Sequence, residues 1–255
     1  MTEHVKIRQE SGVLEISWNR PEKKNALSQA MYGAAADALD RASGDASVRV
    51  VLLTSEGDSF TAGNDLADFA SANAGGSDMP RESGRFIATI AGFEKPIVAG
   101  VPGLAVGVGG TMLLHCDLVY VAETAKITIP FAGLGLTPEA ASSITLPARI
   151  GHVRAFAMFC LGEPLTGLEA ARIGYANAAL PAGEVLDAAR GAALRLSRQP
   201  IGAVIATKKL MRDTQRLAGR IREEGVIFGQ RLLTAEAREA FTAFAEKRPP
   251  DFTKL

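Results

Sequence analysis

Apolar and polar residues alternate in two short segments near the start of the chain. Val5 to Arg8 and Val13 to Trp18 both follow this pattern, and Ser11-Gly12 stands between them. A period of two is typical of strands with one buried face, and a Ser-Gly pair favours a turn. The two segments therefore predict a β-hairpin.

A helical pattern comes next, followed by a strand of another kind. Ser28 is a suitable N-cap for a helix whose apolar face carries Met31, Ala35, Leu39 and Ala42. Val48 to Thr54 is an almost continuous run of β-branched residues and leucines. Such a run predicts a strand that is buried on both faces.

Three further runs have the character of strands: Ile97 to Val101, Leu118 to Ala122 and Lys126 to Ile129. Helical segments separate most of them. Because strands that alternate with helices form parallel sheets, the pattern predicts an α/β protein. Ser71 to Gly84 is rich in small and polar residues without periodicity, and we expect a surface loop there.

The pattern changes after Pro130 and becomes mostly helical. Thr166 and Glu169 form a capping-box pair, and Gly174 is placed to end that short helix. From Leu186 onward the pattern is almost wholly helical. We therefore divide the chain into an α/β core, residues 1–199, and a helical C-terminal part, residues 200–255.

Composition excludes several classes of protein. Lys plus Arg and Asp plus Glu both total 28, so a zero formal net charge argues against nucleic acid or an anionic membrane as the main partner. No apolar run approaches the ~20 residues of a membrane span, and Met1 to Glu10 lacks the apolar region of a signal peptide. Cys116 and Cys160 lie in apolar runs without metal-ligand spacing. We expect a cytoplasmic protein with reduced core thiols and no metal.

Two segments rich in small residues could hold a ligand at the backbone. Phe60-Thr61-Ala62-Gly63-Asn64-Asp65-Leu66 follows a strand and a turn, although a plain strand-to-helix turn would explain it equally well. Pro102 to Gly110 is glycine-rich and runs into a predicted helix, Thr111 to His115. The N–H groups at such a helix start can bind phosphate, carboxylate or an oxyanion. Met112 breaks the dinucleotide-binding pattern and no Gly-Lys-Ser/Thr follows, so an oxyanion site is favoured.

Four ordered motifs carry a resemblance to a known family. They are Arg20-Pro21 with Asn25-Ala26-Leu27, the Phe60 to Leu66 segment, the glycine-rich segment up to Cys116-Asp117, and Phe244 to Arg248 with Phe252. Over nearly its whole length the chain resembles the enoyl-CoA hydratase/isomerase (crotonase) superfamily. The resemblance implies a spiral of ββα units with a helical C-terminal oligomerisation part, a homotrimer or dimer of trimers, and an acyl-CoA substrate. Coenzyme A is expected as part of that substrate, and no separate cofactor is expected.

The resemblance also assigns roles to individual residues. It implies an oxyanion hole made by the backbone N–H groups of Asn64 and Val108, where Val108 stands in place of the more usual glycine. It implies contacts with coenzyme A near Lys24 and Ala62. Lys247 is expected to reach the nucleotide end, across a subunit boundary. For both lysines, an ordinary solvated side chain is the alternative interpretation.

The choice of reaction depends on carboxylates. The two glutamates of the family's hydratases align with Thr111 and Phe131, which carry no carboxyl group. Glu139 follows Pro138 at a predicted helix start and has apolar or small neighbours, which would raise its pKa. It resembles the single catalytic glutamate of the peroxisomal-type 3-enoyl-CoA to 2-enoyl-CoA isomerases, although an acid that only complements the helix dipole would also fit.

The sequence therefore favours an isomerase that passes through an oxyanion-stabilised dienolate, with Glu139 as the base. Two alternatives stay open. One is hydration, or another crotonase-type lyase or hydrolase reaction, on an acyl-CoA. The other is a catalytically silent protein that binds acyl-CoA.

Overall fold

The structure is a computed structural model that describes residues 2–65 and 81–255. Its strands are β1 (Val5–Glu10), β2 (Val13–Trp18), β3 (Val50–Ser55), β4 (Ser59–Thr61), β5 (Ile97–Val101), β6 (Leu104–Val106), β7 (Leu118–Ala122), β8 (Lys126–Thr128), β9 (Leu165–Thr166) and β10 (Ala178–Leu180). The predicted hairpin is confirmed, because β1 and β2 pair antiparallel from Val5 opposite Trp18 to Glu10 opposite Val13.

The helices lie between the strands and at the end of the chain. They are α1 (Gln29–Gly44), α2 (Arg81–Gly92), α3 (Val108–Thr111), α4 (Ser142–Ile150), α5 (His152–Phe156), α6 (Gly167–Arg172), α7 (Val185–Ser197), α8 (Ile201–Met211), α9 (Thr214–Leu232) and α10 (Ala235–Ala245). Two predicted caps are confirmed: Ser28 accepts from the N–H of Met31, and Thr166 and Glu169 form a capping box.

Successive pairs of strands contribute one strand to each of two sheets. One sheet has the order β1-β2-β3-β5-β7-β10 and the other the order β4-β6-β8-β9. In each of the pairs β3/β4, β5/β6 and β7/β8, the first strand joins the larger sheet, the second joins the smaller one, and helical structure follows. This repeat of two strands and a helix is the predicted spiral of ββα units.

The larger sheet is covered on both faces, as the sequence of β3 predicts. Val51 and Leu53 face the main core, which also contains Met31 and Leu39 of α1. Val50 and Leu52 face a second apolar cluster with alanines of α7. Every residue of β3 is buried, which explains its continuous apolar sequence.

The C-terminal helices complete the core. Phe228 and Leu232 of α9 and Ala237 of α10 belong to the same apolar cluster as the strands. The boundary drawn at 199/200 falls in the turn between α7 and α8. The oligomerisation role of residues 200–255 stays a prediction.

Two local expectations differ from the structure. Within the segment predicted as a loop, residues 71–80 lie outside the described part of the chain, but Arg81 to Gly84 form the first turn of α2. Cys116 is buried as predicted, whereas Cys160 is exposed, because it lies on the outer face of a helical turn whose Met158 and Phe159 are buried. None of the helices in residues 2–65 and 81–255 is both long and apolar enough to cross a membrane.

Candidate active site

The two segments rich in small residues leave neighbouring strands at the same edge of the smaller sheet. β4 and β6 are parallel, with Ser59 opposite Leu104 and Thr61 opposite Ala105. The backbones stay close beyond the strands: a Cβ atom on Gly63 would lie 2.9 Å from the carbonyl oxygen of Val106. Any side chain at residue 63 would collide with this carbonyl oxygen. Glycine is therefore needed there for the backbone to place Asn64 next to the start of α3.

The second segment turns sharply into a helix at Gly107. Gly107 has φ 55° and ψ −117°, a combination that is open to glycine and strained for other residues, and α3 begins at Val108. The helix thus starts earlier than the predicted Thr111, and a 3₁₀ turn continues it from Met112 to His115. Val108 is helical, so the geometry suits a β-branched residue. As the first helical residue, it has an N–H group without an acceptor in the helix.

Asn64 is fixed by a single parallel bridge to Leu27. The N–H of Leu27 donates to Gly63 O over 2.8 Å, and the N–H of Asp65 donates to Leu27 O over 2.9 Å. The N–H of Asn64 therefore points away from Leu27. Within residues 2–65 and 81–255, neither this N–H nor that of Val108 donates to a protein oxygen.

Side chains brace the Asn64 turn from two sides. The hydroxyl of Tyr32, a buried residue of α1, donates to the side-chain oxygen of Asn64. Arg20 forms an ion pair with Asp65 at 2.6 Å, which holds the turn from the other side. Backbone N–H groups held in this way can stabilise an anionic oxygen without reorganisation.

Lys24 and Ala62 are brought together. The N–H of Ala62 donates to the carbonyl oxygen of Lys24 over 2.8 Å. Lys24 and Asn25 both have positive φ, 48° and 55°, which turns the chain towards Ala62. The side chain of Lys24 is exposed.

Asn25 holds this junction from inside. Its side-chain oxygen accepts from Arg20 N over 2.7 Å, and its amide nitrogen donates to Glu56 O and Ser59 O over 2.9 and 2.8 Å. The residue is completely buried. Every hydrogen-bonding group of its side chain is therefore used to fix the chain beside β4.

Lys247 belongs to the C-terminal part of the chain. It follows α10, has φ 56° and is exposed. In the described part of the chain no hydrogen bond or ion pair joins Lys247 to Lys24 or Ala62. Lys24 and Ala62 are therefore joined by a hydrogen bond, and Lys247 shares no such contact with them.

Glu139 lies in a turn before α4, and the expectation that it stands just inside a helix start is wrong. The helix begins at Ser142, because Ala140 and Ala141 adopt left-handed conformations with φ 58° and 54°. Each left-handed alanine costs about 1–2 kcal/mol, so contacts elsewhere must hold the turn. The carboxylate of Glu139 accepts a hydrogen bond of 3.1 Å from the buried hydroxyl of Thr111.

Burial raises the pKa of Glu139 to about 7. The hydrogen bond from Thr111 acts in the opposite direction, and the negative charge of Glu224 adds to the increase. A carboxyl group with a pKa near neutrality is well matched to accept and return a proton. Thr111 also lies 3.4 Å from the carbonyl oxygen of Val108, so one residue links Glu139 to the start of α3.

Phe131 is part of an aromatic cluster. Its ring centroid lies 6.2 Å from that of Phe159 and 6.4 Å from that of Phe228. The side chain is buried and has no group that could transfer a proton. Thr111 and Phe131 are the two residues that the resemblance aligns with hydratase glutamates. Thr111 therefore provides a hydroxyl group there, and Phe131 provides an apolar wall.

The remaining candidate groups have structural contacts. His115 is completely buried: its Nε2 donates to Ala140 O over 2.8 Å and its Nδ1 accepts from Arg212. Burial raises the pKa of Cys116 to about 12, so it stays a thiol. Among residues 2–65 and 81–255, no group of three or more His, Cys, Asp or Glu side chains could hold a metal ion.

Sequence reasoning missed Glu224. It lies on the buried face of α9 together with Leu217, Phe228 and Leu232, and its carboxylate reaches the turn that carries Glu139. The signal was present, since a glutamate at 224 interrupts an apolar series of helical spacing. The contribution of Tyr32 could not be predicted, because it depends on how α1 packs against the Asn64 turn.

Comparison with known proteins agrees with this architecture. The family described as "Enoyl-CoA hydratase/isomerase" matches residues 8–254. A solved structure of an enoyl-CoA hydratase/isomerase from Pseudoalteromonas atlantica has a TM-score of 0.92 and 39% sequence identity, and it covers 98% of this chain and 100% of the other.

Two curated relatives carry different names. Enoyl-CoA delta isomerase 2 of Rattus norvegicus is 32% identical over 251 residues, which is 96% of this chain. This chain spans only 64% of that relative's length. A probable enoyl-CoA hydratase of Rhodobacter capsulatus is 34% identical over 245 residues and 95% of both chains.

Proposed function

The chain belongs to the enoyl-CoA hydratase/isomerase family, and we propose that within this family it moves a double bond from 3-enoyl-CoA to 2-enoyl-CoA. One observation carries the choice of reaction. Glu139 is a part-buried carboxyl group with a pKa of about 7, and its partner at the position aligned with a hydratase glutamate is the hydroxyl of Thr111. A single acid and base is enough for an isomerase.

The reaction needs one proton to leave and return. In its ionised form Glu139 removes a proton from C2, and the electrons move into a dienolate whose negative charge lies largely on the thioester oxygen. The protonated Glu139 then returns the same proton at C4. The double bond ends between C2 and C3, and no water or external acid is consumed.

The N–H groups of Asn64 and Val108 are the proposed donors to that oxygen. Both lie beyond the carboxyl ends of adjacent parallel strands, and both lack an acceptor in the described chain. Preorganised donors of this type contribute several kcal/mol to the transition state, roughly 3–4 for each by comparison with mutational losses.

Hydration of 2-enoyl-CoA is the second candidate, because the relative from Rhodobacter capsulatus carries a hydratase name. That reaction activates a water molecule and also delivers a proton to the α-carbon. Thr111 and Phe131 replace the two carboxylates aligned with those tasks, which argues against efficient hydration. A silent acyl-CoA-binding protein is disfavoured by the raised pKa of Glu139, which binding alone does not need.

For coenzyme A, the proposal rests on Lys24, Ala62 and Lys247. The N–H of Ala62 already donates a hydrogen bond to the carbonyl oxygen of Lys24. The groups proposed to contact the substrate are therefore the carbonyl oxygen of Ala62 and the exposed ammonium group of Lys24. Lys247 is exposed, and its proposed contact with the nucleotide end is made across a subunit boundary. Exposed apolar side chains on the C-terminal helices, Leu210, Met211 and Phe244, support the proposed homotrimer or dimer of trimers.

Incubation with 3-enoyl-CoA and 2-enoyl-CoA in separate reactions tests the proposal. We expect migration of the double bond in the former and little hydration of the latter. Glu139→Gln should abolish isomerisation, whereas Glu163→Gln, which changes an exposed glutamate in the same way, should not. Full turnover by Glu139→Gln would refute the assignment. Efficient hydration without isomerisation would favour the hydratase, and binding without either reaction would favour the silent protein.

A further inference from the structure

A buried glutamate contacts the backbone of the turn that carries Glu139. Glu224 belongs to α9 and is only 5% exposed. One oxygen of its carboxylate accepts from the N–H of Ala141 over 2.6 Å, and the other accepts from the N–H of Ser143 over 3.0 Å. The proposed reaction gives this group no task, although burial of a carboxylate is costly.

The contacts of Glu224 replace a missing cap. Ala141 is the N-cap of α4 and has no side-chain acceptor for the first N–H groups of the helix. Glu224 supplies both acceptors from a helix that is distant in sequence. Its carboxylate therefore caps the start of α4 and is bonded to the end of the preceding turn.

A second side chain holds the same turn from the other side. His115 donates from Nε2 to the carbonyl oxygen of Ala140 over 2.8 Å, while Arg212 donates to its Nδ1. Ala140 and Ala141 are the two left-handed alanines directly after Glu139. Since both conformations are unfavourable for alanine, these contacts are what keep the turn in its observed form.

We propose that Glu224 is a positioning residue, which holds the Ala140–Ala141 turn so that the carboxyl group of Glu139 stays at Thr111 in reach of the substrate. The inference rests on the proposed function and deepens it, because it names the group that orients the base. Glu224 does not touch the substrate. It acts on Glu139 through the backbone and through its negative charge.

Several charged or titratable groups lie around Glu139 and Glu224. Glu224 raises the pKa of Glu139, and the Thr111 hydroxyl opposes that change. Burial raises the pKa of Glu224, and the positive charge of Arg220, which forms an ion pair with Glu223 at 3.1 Å, opposes that increase. Burial lowers the pKa of His115 to about 3, so His115 is neutral, and the Arg212 guanidinium lies beyond it. Glu224 is thus a negative charge that acts on Glu139 in this arrangement.

Glu224→Gln tests the proposal, with Glu163→Gln, which changes an exposed glutamate in the same way, as the matched control. An amide keeps the size of the side chain, removes the charge and sets an NH₂ group against an N–H donor. We expect kcat for 3-enoyl-CoA to fall about 100-fold, as for other small displacements of a catalytic group, with little change in KM. The acid limb of the kcat profile should also move to lower pH, which loss of structure alone would not cause. Unchanged kcat and an unchanged acid limb would overturn the proposal.

Direct titration separates this inference from the proposed reaction. ¹³C NMR of the glutamate carboxyl groups, with Glu139→Gln to assign the signal, follows the ionisation of Glu139 without any substrate. If wild-type protein does not isomerise 3-enoyl-CoA, the proposed function fails. The influence of Glu224 still stands if Glu224→Gln lowers the pKa of Glu139, and it falls if that pKa does not move.

Glu224→Asp separates position from charge. Aspartate keeps the negative charge but is one methylene shorter, so it cannot reach both N–H groups in the same geometry. We expect kcat to fall at least about 10-fold while the titration of Glu139 stays near that of wild type. Glu224→Asp also tests the positioning role if Glu224→Gln does not fold. Wild-type kcat in a folded Glu224→Asp protein would exclude a positioning role.

Discussion

The hydroxyl of Thr111 donates a 3.1 Å hydrogen bond to the carboxylate of Glu139. Thr111 is completely buried and Glu139 is part-buried, so water competes less for this contact than it would at the surface. It stabilises the ionised form of Glu139 and limits the increase in pKa that burial causes. The pair therefore sets the proton affinity of the proposed base.

Replacement of Thr111 by valine should raise the pKa of Glu139 further. Valine keeps the shape of the side chain but cannot donate, so the ionised carboxylate loses its partner. We expect the acid limb of kcat/KM to move to higher pH. Thr111→Ser keeps the hydroxyl and is the control. Identical profiles for the valine variant and the wild type would mean that the hydrogen bond has no influence on the base.

The wild-type rate should depend on pH with an acid limb near neutrality. Because the base must be ionised and its pKa is about 7, kcat/KM should be half-maximal near that pH and fall about 10-fold per unit below it. Initial rates with 3-enoyl-CoA between pH 5 and 9 measure this. An acid limb near pH 4.5 would contradict the raised pKa of Glu139.

The same ionisation should appear in the stability of the protein. Glu139 has a higher pKa in the folded chain, about 7 against 4.5, so the folded state binds more protons between these values. The free energy of unfolding should then fall as pH rises across this window, by about 3 kcal/mol for this group. Denaturant unfolding at pH 5 and pH 8 measures the change. Glu139→Gln should lose less stability than wild type over the same range, and an equal loss would contradict the expectation.

Replacement of Val108 by proline should remove one proposed oxyanion donor without disrupting the fold. Proline is well tolerated at the first helical residue, where the N–H has no helical acceptor. We expect kcat to fall about 100- to 1000-fold. Val108→Ala also loses buried volume but keeps its N–H, and should retain most activity. A proline variant as active as the alanine variant would exclude a role for this N–H.

Asn25→Ala should be strongly destabilising. The substitution leaves Arg20 N, Glu56 O and Ser59 O without their partner and puts alanine at φ 55°. A loss of about 3–5 kcal/mol in the free energy of unfolding is expected. Asn19→Ala, which loses one exposed hydrogen bond to Glu3 O, should cost less than about 1 kcal/mol. Similar losses for the two variants would contradict the central role of Asn25.

Much of the fold could be predicted from local patterns. The alternation in Val5 to Arg8 and the continuous apolar run of β3 reflect burial directly, and the caps at Ser28 and Thr166 depend only on neighbouring residues. Glu139 could be selected because its neighbours are apolar. Each of these features depends on residues that are close together in the sequence, so a local sequence pattern can reveal it.

The turn after Glu139 could not be predicted in the same way. Alanine has a high helix propensity, so Pro138-Glu139-Ala140-Ala141 reads as the first turn of a helix. Contacts from Glu224 and His115, which are distant in sequence, override that preference. The exposure of Cys160 was missed for a related reason, since an apolar run does not reveal which face of a helical turn packs inward.

The hydrogen bond between Glu224 and Ala141 spans 83 residues of sequence. During synthesis from the N-terminus, the segment with Glu139 therefore leaves the ribosome long before the side chain that fixes its turn. Until α9 has been made and has docked, Ala140 and Ala141 are free to take the helical conformation that alanine prefers. The base is present in the nascent chain, but its orientation is acquired only after α9 has emerged and packed against the core.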